Sequence, residues 1–223
     1  MTTTAPQVKI CCISSADEAR LAVAAGAHAL GLVSAMPSGP GVIDEALIAA
    51  IAAQVPPAVQ TFLLTSKLSA REIAEQHRRC RTTTLQLVDA LPDDELPRLR
   101  DALPDVRLVQ VIHVTGEASI DEALAAAPWV DALLLDSGNP SAAVKELGGT
   151  GRTHDWSVSR RLCRAVDRPV FLAGGLNAGN VAEAIAQVQP HGLDICSGVR
   201  RDGRLDEGRL RAFLAAVRAA GAA

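Results

Sequence analysis

The sequence predicts a single α/β domain of 223 residues, folded as a (β/α)8 TIM barrel. Short apolar runs rich in β-branched residues alternate with alanine-rich amphipathic segments, and this alternation favours parallel strands joined by crossover helices. Eight such pairs give about 28 residues per unit, near the lower size limit of a closed eight-stranded barrel. No linker, low-complexity tract or block of charge divides the chain, so we expect one domain over residues 1–223.

The predicted strands are apolar runs that end in polar or glycine residues before a helical period begins. They are Val8–Ile13, Ala29–Val33, Val59–Thr65, Thr84–Val88, Arg107–Val114, Ala132–Asp136, Pro169–Ala173 and Leu193–Ser197. The predicted helices are Ala16–Ala25, Glu45–Gln54, Ala70–Arg79, Asp93–Ala102, Ile120–Ala126, Val158–Ala165, Ala178–Val188 and Asp206–Ala219. Ser15 and Asn177 precede two of these helices, where a short polar side chain can accept a hydrogen bond from an unpaired backbone N–H.

A doubly wound open sheet is the alternative architecture, and the positions of the glycine-rich turns argue against it. Such a sheet usually carries its phosphate loop after the first strand, but Cys11 and Cys12 occupy that place here. The glycine-rich turns Gly174-Gly175 and Ser197-Gly198 come after the seventh and eighth predicted strands. Barrels of this kind bind phosphate at those two places, so the pattern favours the barrel.

Composition and charge favour a small-molecule partner over nucleic acid or a membrane. The formal net charge is −3, and aromatic residues make up only 2% of the chain, which leaves little material for stacking on bases. The longest apolar run, Ala46–Ala53, is far shorter than the roughly 18–20 residues of a membrane span. The first residues lack the features of a signal peptide, and five cysteines without a CxxC motif fit reduced thiols, so we expect a cytoplasmic protein.

A cysteine near the end of the first predicted strand is the first candidate for catalysis, because active residues of barrels lie at strand ends. Side chains alternate along a strand, so Lys9 and Cys11 share one face, and only one of Cys11 and Cys12 is expected to face the mouth. If Lys9 and Cys11 face inward, the ammonium favours the thiolate, which can act as a base or nucleophile. Cys11 is otherwise a small buried core residue, and the residues alone leave both interpretations open.

A carboxylate at the end of the sixth predicted strand is the second candidate. Asp136 closes the apolar run Ala132–Asp136. It is either a desolvated carboxyl with a raised pKa, which suits a general acid, or a plain helix or loop cap. If Cys11 and Asp136 both face the mouth, they oppose each other across it as a base and an acid.

The glycine-rich turns predict a phosphate site. Gly174-Gly175 leads into a predicted helix, so the amides of the loop and the N-terminus of the helix can bind the same anion. Ser197-Gly198 is expected to form the second lip, on the other side of this anion. Gly148–Gly151 can also turn its amides toward an anion, although a mobile turn has the same pattern. Gly148–Gly151 lies in the long connection Ser137–Ser157. This connection and Ser34–Asp44 are the two long connections that we expect to bind ligand. The predicted substrate- and phosphate-binding residues are Lys9, Gly149, Thr150, Gly174, Gly175, Asp194, Ser197, Gly198 and Arg200.

The remaining cysteines and histidines suggest no chemistry. No histidine has metal-ligand spacing with another histidine or a cysteine, so we expect structural or solvated histidines. Cys80, Cys163 and Cys196 are interpreted as packing residues. The arginine-rich end is interpreted as a solvated face, except that Arg200 follows a predicted phosphate turn directly.

Five motifs in a fixed order resemble the phosphoribosylanthranilate isomerase family. They are Lys9-Ile10-Cys11, Leu133–Ser137, Gly148–Gly151 followed by Asp155-Trp156, Leu172–Asn177, and Asp194–Val199. The resemblance spans nearly the whole chain and implies a (β/α)8 barrel that carries out an Amadori rearrangement of a phosphoribosylamine in tryptophan biosynthesis. It also implies that Cys11 is the general base and Asp136 the general acid, acting on a phosphosugar without a cofactor.

The chain departs from the family pattern around the aromatic part of the substrate. Cys12 stands where the family usually has glycine, and Gly41 stands where it has an arginine that contacts the anthranilate carboxylate. Losing such a charged contact costs about 1.5–3 kcal/mol of binding, unless Arg152 or Arg200 replaces it. Two alternatives therefore remain, a paralogue that isomerises another phosphosugar and a non-catalytic phosphometabolite-binding barrel. The sequence is compatible with a monomer or a homodimer.

Overall fold

The computed structural model describes residues 5–92, 94–138, 147, 151 and 153–221. Eight parallel strands form a closed barrel in sequence order, with the eighth strand paired to the first. A helix follows each strand. The predicted (β/α)8 fold class is confirmed.

The observed elements match the predicted alternation, and most boundaries differ by one to three residues. The barrel strands are β1 (Gln7–Ile10), β2 (Ala29–Val33), β3 (Gln60–Thr65), β4 (Thr84–Leu87), β5 (Arg107–His113), β6 (Ala132–Asp136), β7 (Val170–Leu172) and β8 (Gly192–Ile195). The helices are α1 (Ala16–Ala25), α2 (Glu45–Ala52), α3 (Ala70–Cys80), α4 (Glu95–Ala102), α5 (Ala118–Ala126), α6 (Trp156–Ala165), α7 (Val181–Val188) and α8 (Glu207–Gly221).

Three short elements were not predicted, since segments of two or three residues carry no readable periodicity. They are the 3-10 turns Ala127–Trp129 and Ser197–Val199, and a hairpin of β9 (Arg200–Arg201) and β10 (Arg204–Leu205). The second turn and the hairpin occupy the connection between β8 and α8, beside the predicted phosphate site.

The core has two layers because both faces of a barrel strand are buried. The larger layer packs the outer strand faces against the helices, as Leu30 and Ile73 illustrate. The smaller layer fills the barrel, where the rings of Phe62 and Phe171 meet edge to face at 6.1 Å. The barrel interior is thus a filled core, and the strand ends above it are free to form a site.

Two local signals near the site had different outcomes. Ser15 caps α1 as predicted, since its Oγ accepts a hydrogen bond from Glu18 N at 3.2 Å. The prediction of a helix beginning at Ala178 after Asn177 is wrong, because α7 begins at Val181. The Asn177 side chain instead accepts from Gly179 N at 2.8 Å and holds a turn before the helix.

The first strand is shorter than predicted. The prediction was Val8–Ile13, but β1 ends at Ile10 and Cys12 has a φ of 61°. This left-handed conformation cannot continue a strand and is uncommon for any residue other than glycine. The two cysteines therefore lie in a loop at the barrel mouth.

Candidate active site

A cavity opens at the carboxyl ends of the barrel strands, where the sequence predicts the active site. Its empty volume is about 660 Å³ including the open mouth, within the range of about 300–1,000 Å³ for small-molecule sites. Cys11 and Asp136 both line this cavity, together with Gln86 and Asp194. The structure therefore brings the two predicted catalytic residues to one site.

Cys11 is held at the mouth by the end of the barrel and by a glycine on the next strand. Its N–H donates to Ile195 O at 2.8 Å, which extends the β1–β8 ladder by one step. A Cβ on Gly31 of β2 would lie 2.9 Å from Cys11 Sγ and 3.0 Å from Lys9 Nζ. The missing side chain of Gly31 thus gives the sulfur and the ammonium room side by side, as the sequence prediction requires.

Lys9 lies inside the barrel below the cavity and is fully buried. Its Nζ is 2.9 Å from Asp194 Oδ1 and 5.3 Å from the centroid of the Phe62 ring. Burial alone would lower the pKa of Lys9, but the neighbouring Asp194 carboxylate outweighs burial and raises this pKa above its ordinary value. Lys9 is therefore charged and forms an ion pair with Asp194. Asp194 lines the cavity, and Lys9 does not.

Asp136 ends β6 and pairs in register with His113 at the end of β5. Ser137 N donates to its Oδ1 at 2.8 Å. Burial raises the pKa of Asp136, and the Ser137 N–H and the nearby His113 offset this rise only in part. A carboxyl that holds its proton at higher pH than usual is suited to act as a general acid.

The loops after β7 and β8 meet at one side of the cavity. Gly174 and Gly175 have φ values of 84° and 63°, a region that favours glycine, and both line the cavity together with Ser197. A Cβ on Gly198 would lie 2.1 Å from Leu176 O, so only glycine fits where the two loops touch. The contact at Gly198 brings together the two loops of the predicted phosphate site. The other two predicted phosphate-binding residues, Gly149 and Thr150, lie outside the described residues.

The connection after β2 forms another part of the rim. Met36, Ser38, Gly39 and Pro40 line the cavity, so this long segment contributes to the site as predicted. Gly41 lies against Cys12, since a Cβ on Gly41 would be 2.5 Å from Cys12 Cβ. None of the described residues that line the cavity is a lysine or arginine, and Arg152, one candidate to replace the family arginine, lies outside the described residues.

The structure corrects the role predicted for Arg200. This side chain is 8% exposed and does not line the cavity. Its guanidinium donates to Glu18 Oε1 at 3.1 Å, to Cys11 O at 3.2 Å and to Cys12 O. Arg200 therefore holds the loop after β1 from behind, because the hairpin β9–β10 turns its side chain toward α1.

One further expectation about cysteines is wrong. Both Cys11 and Cys12 line the cavity, because the chain leaves the strand geometry before Cys12 and the alternation rule no longer applies. Cys196 packs against the inner core layer, as expected, and it also lines the cavity. Three cysteines therefore line the cavity.

Sequence reasoning missed three residues at or near the site. Gly31 stands inside a predicted strand, and a glycine there often marks a close approach, which is a readable signal. Gln86 of β4 is 3% exposed, lines the cavity and has no hydrogen-bond partner for its Oε1 among the described residues. Glu18 on α1 is the partner of Arg200, and no local pattern marks it, since the two are 182 positions apart.

Comparison with known proteins relates nearly the whole chain to one family. A family model described as N-(5'-phosphoribosyl)anthranilate (PRA) isomerase matches residues 8–216. The N-(5'-phosphoribosyl)anthranilate isomerase of Haloferax volcanii is 37% identical over 216 residues, which cover 96% of this chain and 94% of the relative. The enzyme of that name from Methanocella arvoryzae is 35% identical over 213 residues, covering 95% and 98%.

A solved structure gives the same relation in three dimensions. Phosphoribosyl anthranilate isomerase from Thermotoga maritima matches with a TM-score of 0.82 and 26% identity, over 96% of this chain and 99% of that one. In the part of this chain that the structure describes, no helix combines the length and apolar character needed to cross a membrane. The chain belongs to the N-(5'-phosphoribosyl)anthranilate isomerase family and is an aldose–ketose isomerase of tryptophan biosynthesis.

Proposed function

We propose that Cys11 and Asp136 are the general base and general acid of the isomerisation. The observation that carries this proposal is that both side chains line one cavity, Cys11 from the loop directly after β1 and Asp136 from the end of β6. Burial raises the pKa of Asp136, which favours the protonated form that an acid needs. Cys11 Sγ and Lys9 Nζ lie close together, since both are about 3 Å from the position that a Cβ on Gly31 would take.

The reaction then needs only proton transfers between these groups and the substrate. Asp136 protonates the ring oxygen of the ribose, and the aminoaldose opens to a protonated Schiff base. The Cys11 thiolate removes the C2′ proton, and the electron pair of that C–H bond forms the enolamine. The enolamine tautomerises to the 1-amino-1-deoxyketose, Cys11 gives up the proton that it removed, and Asp136 regains the proton that it donated, which restores both side chains.

We propose that the phosphate of the substrate binds between the loops after β7 and β8. Gly174, Gly175 and Ser197 line this side of the cavity, and the turn held by Asn177 lets backbone amides approach an anion closely. Gly198 packs so closely against Leu176 O that no Cβ would fit between them, so the loops after β7 and β8 form one continuous surface. Gly149 and Thr150 remain predicted phosphate-binding residues.

The floor of the cavity suits the sugar. Gln86 Oε1 is buried and unpartnered among the described residues, and the Asp194 carboxylate lines the same cavity from β8. Buried polar groups without partners are costly, and hydroxyl groups of a bound sugar satisfy them. We therefore propose Gln86 and Asp194 as the residues that bind the ribose hydroxyls.

Turnover of phosphoribosylanthranilate, followed by loss of anthranilate fluorescence, tests the catalytic assignment. We expect Cys11→Ala and Asp136→Asn each to lower kcat at least about 100-fold, the usual contribution of a general acid or base. Cys163→Ala is the matched control, since Cys163 lies on α6 and does not line the cavity. Equal rates in all four proteins would exclude the mechanism.

Location and assembly complete the proposal. All five cysteines are free, and reduced thiols are typical of a reducing compartment, so we propose a cytoplasmic enzyme. We propose a monomer or a homodimer, which sedimentation velocity distinguishes.

A further inference from the structure

A buried histidine beside the proposed acid has no part in the proposed mechanism. β5 and β6 pair in register up to His113 and Asp136, which end the two strands. Side chains alternate along a strand, and Val111 and Leu134, two positions earlier, belong to the core layer inside the barrel. His113 and Asp136 therefore face the inside of the barrel from adjacent strands, at the mouth.

The ring of His113 is held from the side away from Asp136, since β4 lies on the other side of β5 from β6. His113 is 6% exposed, and its Nε2 lies 3.0 Å from Val88 O, directly after β4. A carbonyl oxygen only accepts, so Nε2 carries a hydrogen and donates it. Asp89 is a titratable residue on this side, and its Oδ1 accepts from the next backbone N–H at 3.0 Å. The backbone of His113 is fixed as well, because its O accepts from Ser119 Oγ at 3.1 Å.

The other ring nitrogen of His113 is available. Nδ1 is buried and has no hydrogen-bond partner within the described part of the chain. Because Nε2 already carries a hydrogen, a second proton on this ring is carried at Nδ1. His113 can therefore become a cation without breaking its bond to Val88 O. A cation beside a carboxyl group favours the ionised carboxylate.

The groups around Asp136 act on its proton in opposite directions. Burial and the Asp194 carboxylate on β8 raise the pKa of Asp136, whereas the Ser137 N–H, His113 on β5 and Lys9 on β1 lower it. β7, the other neighbour of β6, contains only apolar residues. Lys9 is already paired with Asp194 at 2.9 Å, so its charge is divided between two carboxylates. His113 lies directly beside Asp136 in the register of the two strands.

We propose that His113 is a positioning residue of the isomerisation, which acts through Asp136 and makes this acid ready to give up its proton. A general acid is most effective when it holds its proton with an affinity matched to the working pH. Burial makes Asp136 hold its proton tightly, and His113 offsets this by stabilising the carboxylate that remains after the transfer. His113 does not line the cavity, so we expect it to act without touching the substrate. The proposal rests on the proposed role of Asp136 as the acid.

A carboxyl titration measures the effect on Asp136 without any turnover. The full-length protein is labelled with ¹³C at its aspartate carboxyl groups, and the signal that is missing in Asp136→Asn is assigned to Asp136. In His113→Gln we expect the midpoint of this signal to rise by about one pH unit, the shift that a charge at about 4–6 Å produces. The glutamine amide can still donate to Val88 O, so the variant removes the charge and keeps a donor.

His77→Gln is the matched control. His77 lies on α3, outside the cavity lining, and its Nε2 is also bonded to a backbone oxygen, Thr82 O at 2.8 Å. We expect the Asp136 midpoint to stay at the wild-type value in this variant. If His113→Gln does not fold, His113→Asn carries a smaller amide at the same position and repeats both the titration and the kinetics.

Turnover of phosphoribosylanthranilate gives the second readout. We expect His113→Gln to lower kcat about 10-fold, the rate equivalent of about one pH unit of proton affinity, with KM within about twofold of the wild type. Its kcat should also fall off at higher pH than that of the wild type, because Asp136 keeps its proton longer. A residue with a structural role alone would lower the free energy of unfolding without moving this pH profile.

Three results would overturn the proposal. They are an unchanged Asp136 midpoint in His113→Gln, a shifted midpoint with a wild-type kcat, and a raised KM with a wild-type kcat, which would mean that His113 contacts the substrate. A normal rate in Asp136→Asn would instead refute the proposed acid. In that case a shifted carboxyl midpoint in His113→Gln would still show that His113 controls the proton of Asp136, so the two failures are distinguishable.

Discussion

The acid side and the thiol side of the cavity are built by different means. On the acid side, Asp136 ends a regular strand, pairs in register with His113 and accepts a hydrogen bond from the next residue. On the thiol side, Cys11 lies beyond the end of β1, and its position depends on the distant residues Gly31 and Arg200. The difference shows that a regular strand positions one of the proposed catalytic residues, while the other depends on several elements that come together only in the fold.

The largest expected effect comes from breaking the buried ion pair behind the thiol side. In Arg200→Met the Glu18 carboxylate loses a partner at a site where the two side chains are only 8% and 11% exposed. Removing one member of such a pair lowers the free energy of unfolding by about 3–5 kcal/mol. Denaturant unfolding measures this change at neutral pH.

Arg79→Met is the matched control for that measurement. Arg79 pairs with Glu45 at the surface, where the side chains are 53% and 31% exposed. An exposed ion pair contributes about 0–1 kcal/mol, so the control should unfold nearly as the wild type does. Similar losses in the two variants would show that Arg200 has no special structural role.

The next effect concerns the glycine that gives room to the thiol. In Gly31→Ala the new Cβ would meet Cys11 Sγ at 2.9 Å and the Cys11 Cα at 3.1 Å, and backbone cannot move aside easily. We expect a loss of about 1–3 kcal/mol in unfolding free energy. Because the proposed base is displaced, we also expect a fall in kcat of about 100-fold.

Gly208→Ala is a suitable control for Gly31→Ala. Gly208 lies in α8 and does not line the cavity, and its Cβ would meet only Asp206 Oδ1 at 3.3 Å. Alanine is the better helix former, so stability should not fall and kcat should stay at the wild-type value. A normal kcat in Gly31→Ala would contradict the close packing on the thiol side.

The two sides also differ in what the sequence could predict. The strand that ends at Asp136 was predicted with its observed bounds, because a buried parallel strand is a continuous apolar run. The first strand was predicted to end three residues too late, because Cys11, Cys12 and Ile13 are compatible with a strand by type. The turn at Cys12 contacts Arg200 and Gly41, and such distant contacts leave no local pattern.

A smaller effect tests the coupling between Cys12 and Gly41. Gly41 has a φ of 77°, and a Cβ there would lie 2.5 Å from Cys12 Cβ, so Gly41→Ala adds both strain and a clash. Cys12→Gly removes this closest contact, and it leaves the strain at position 41 and the backbone contact with the Cα of residue 12 at 3.0 Å. In a double-mutant cycle we expect the double variant to be more stable than the sum of the single changes predicts, by about 0.5–3 kcal/mol.

Gly41→Ala combined with Cys163→Ala gives the control cycle. Cys163 lies on α6 and makes no contact with the Cβ position of Gly41, so the two changes should add within about 0.5 kcal/mol. Equal coupling in the two cycles would refute the idea that the small residue at position 41 accommodates the side chain at position 12.

The smallest effect lies on the acid side and depends on pH. Burial raises the pKa of Asp136 in the folded state. The contribution of this carboxyl to stability is therefore fully present below its unfolded pKa near 3.8, where it is protonated in both states. This contribution is lost as the pH rises through the folded pKa, because the buried carboxyl must then ionise. Asp136→Asn does not titrate and can still accept from Ser137 N. The melting temperature of the variant should therefore exceed that of the wild type at neutral pH, and this difference should vanish near pH 3.

Asp155→Asn should show the opposite trend, since the hydrogen bond from Ser157 lowers the Asp155 pKa and its stabilisation is lost in acid. Parallel pH trends in the two variants would mean that burial does not set the proton affinity of Asp136.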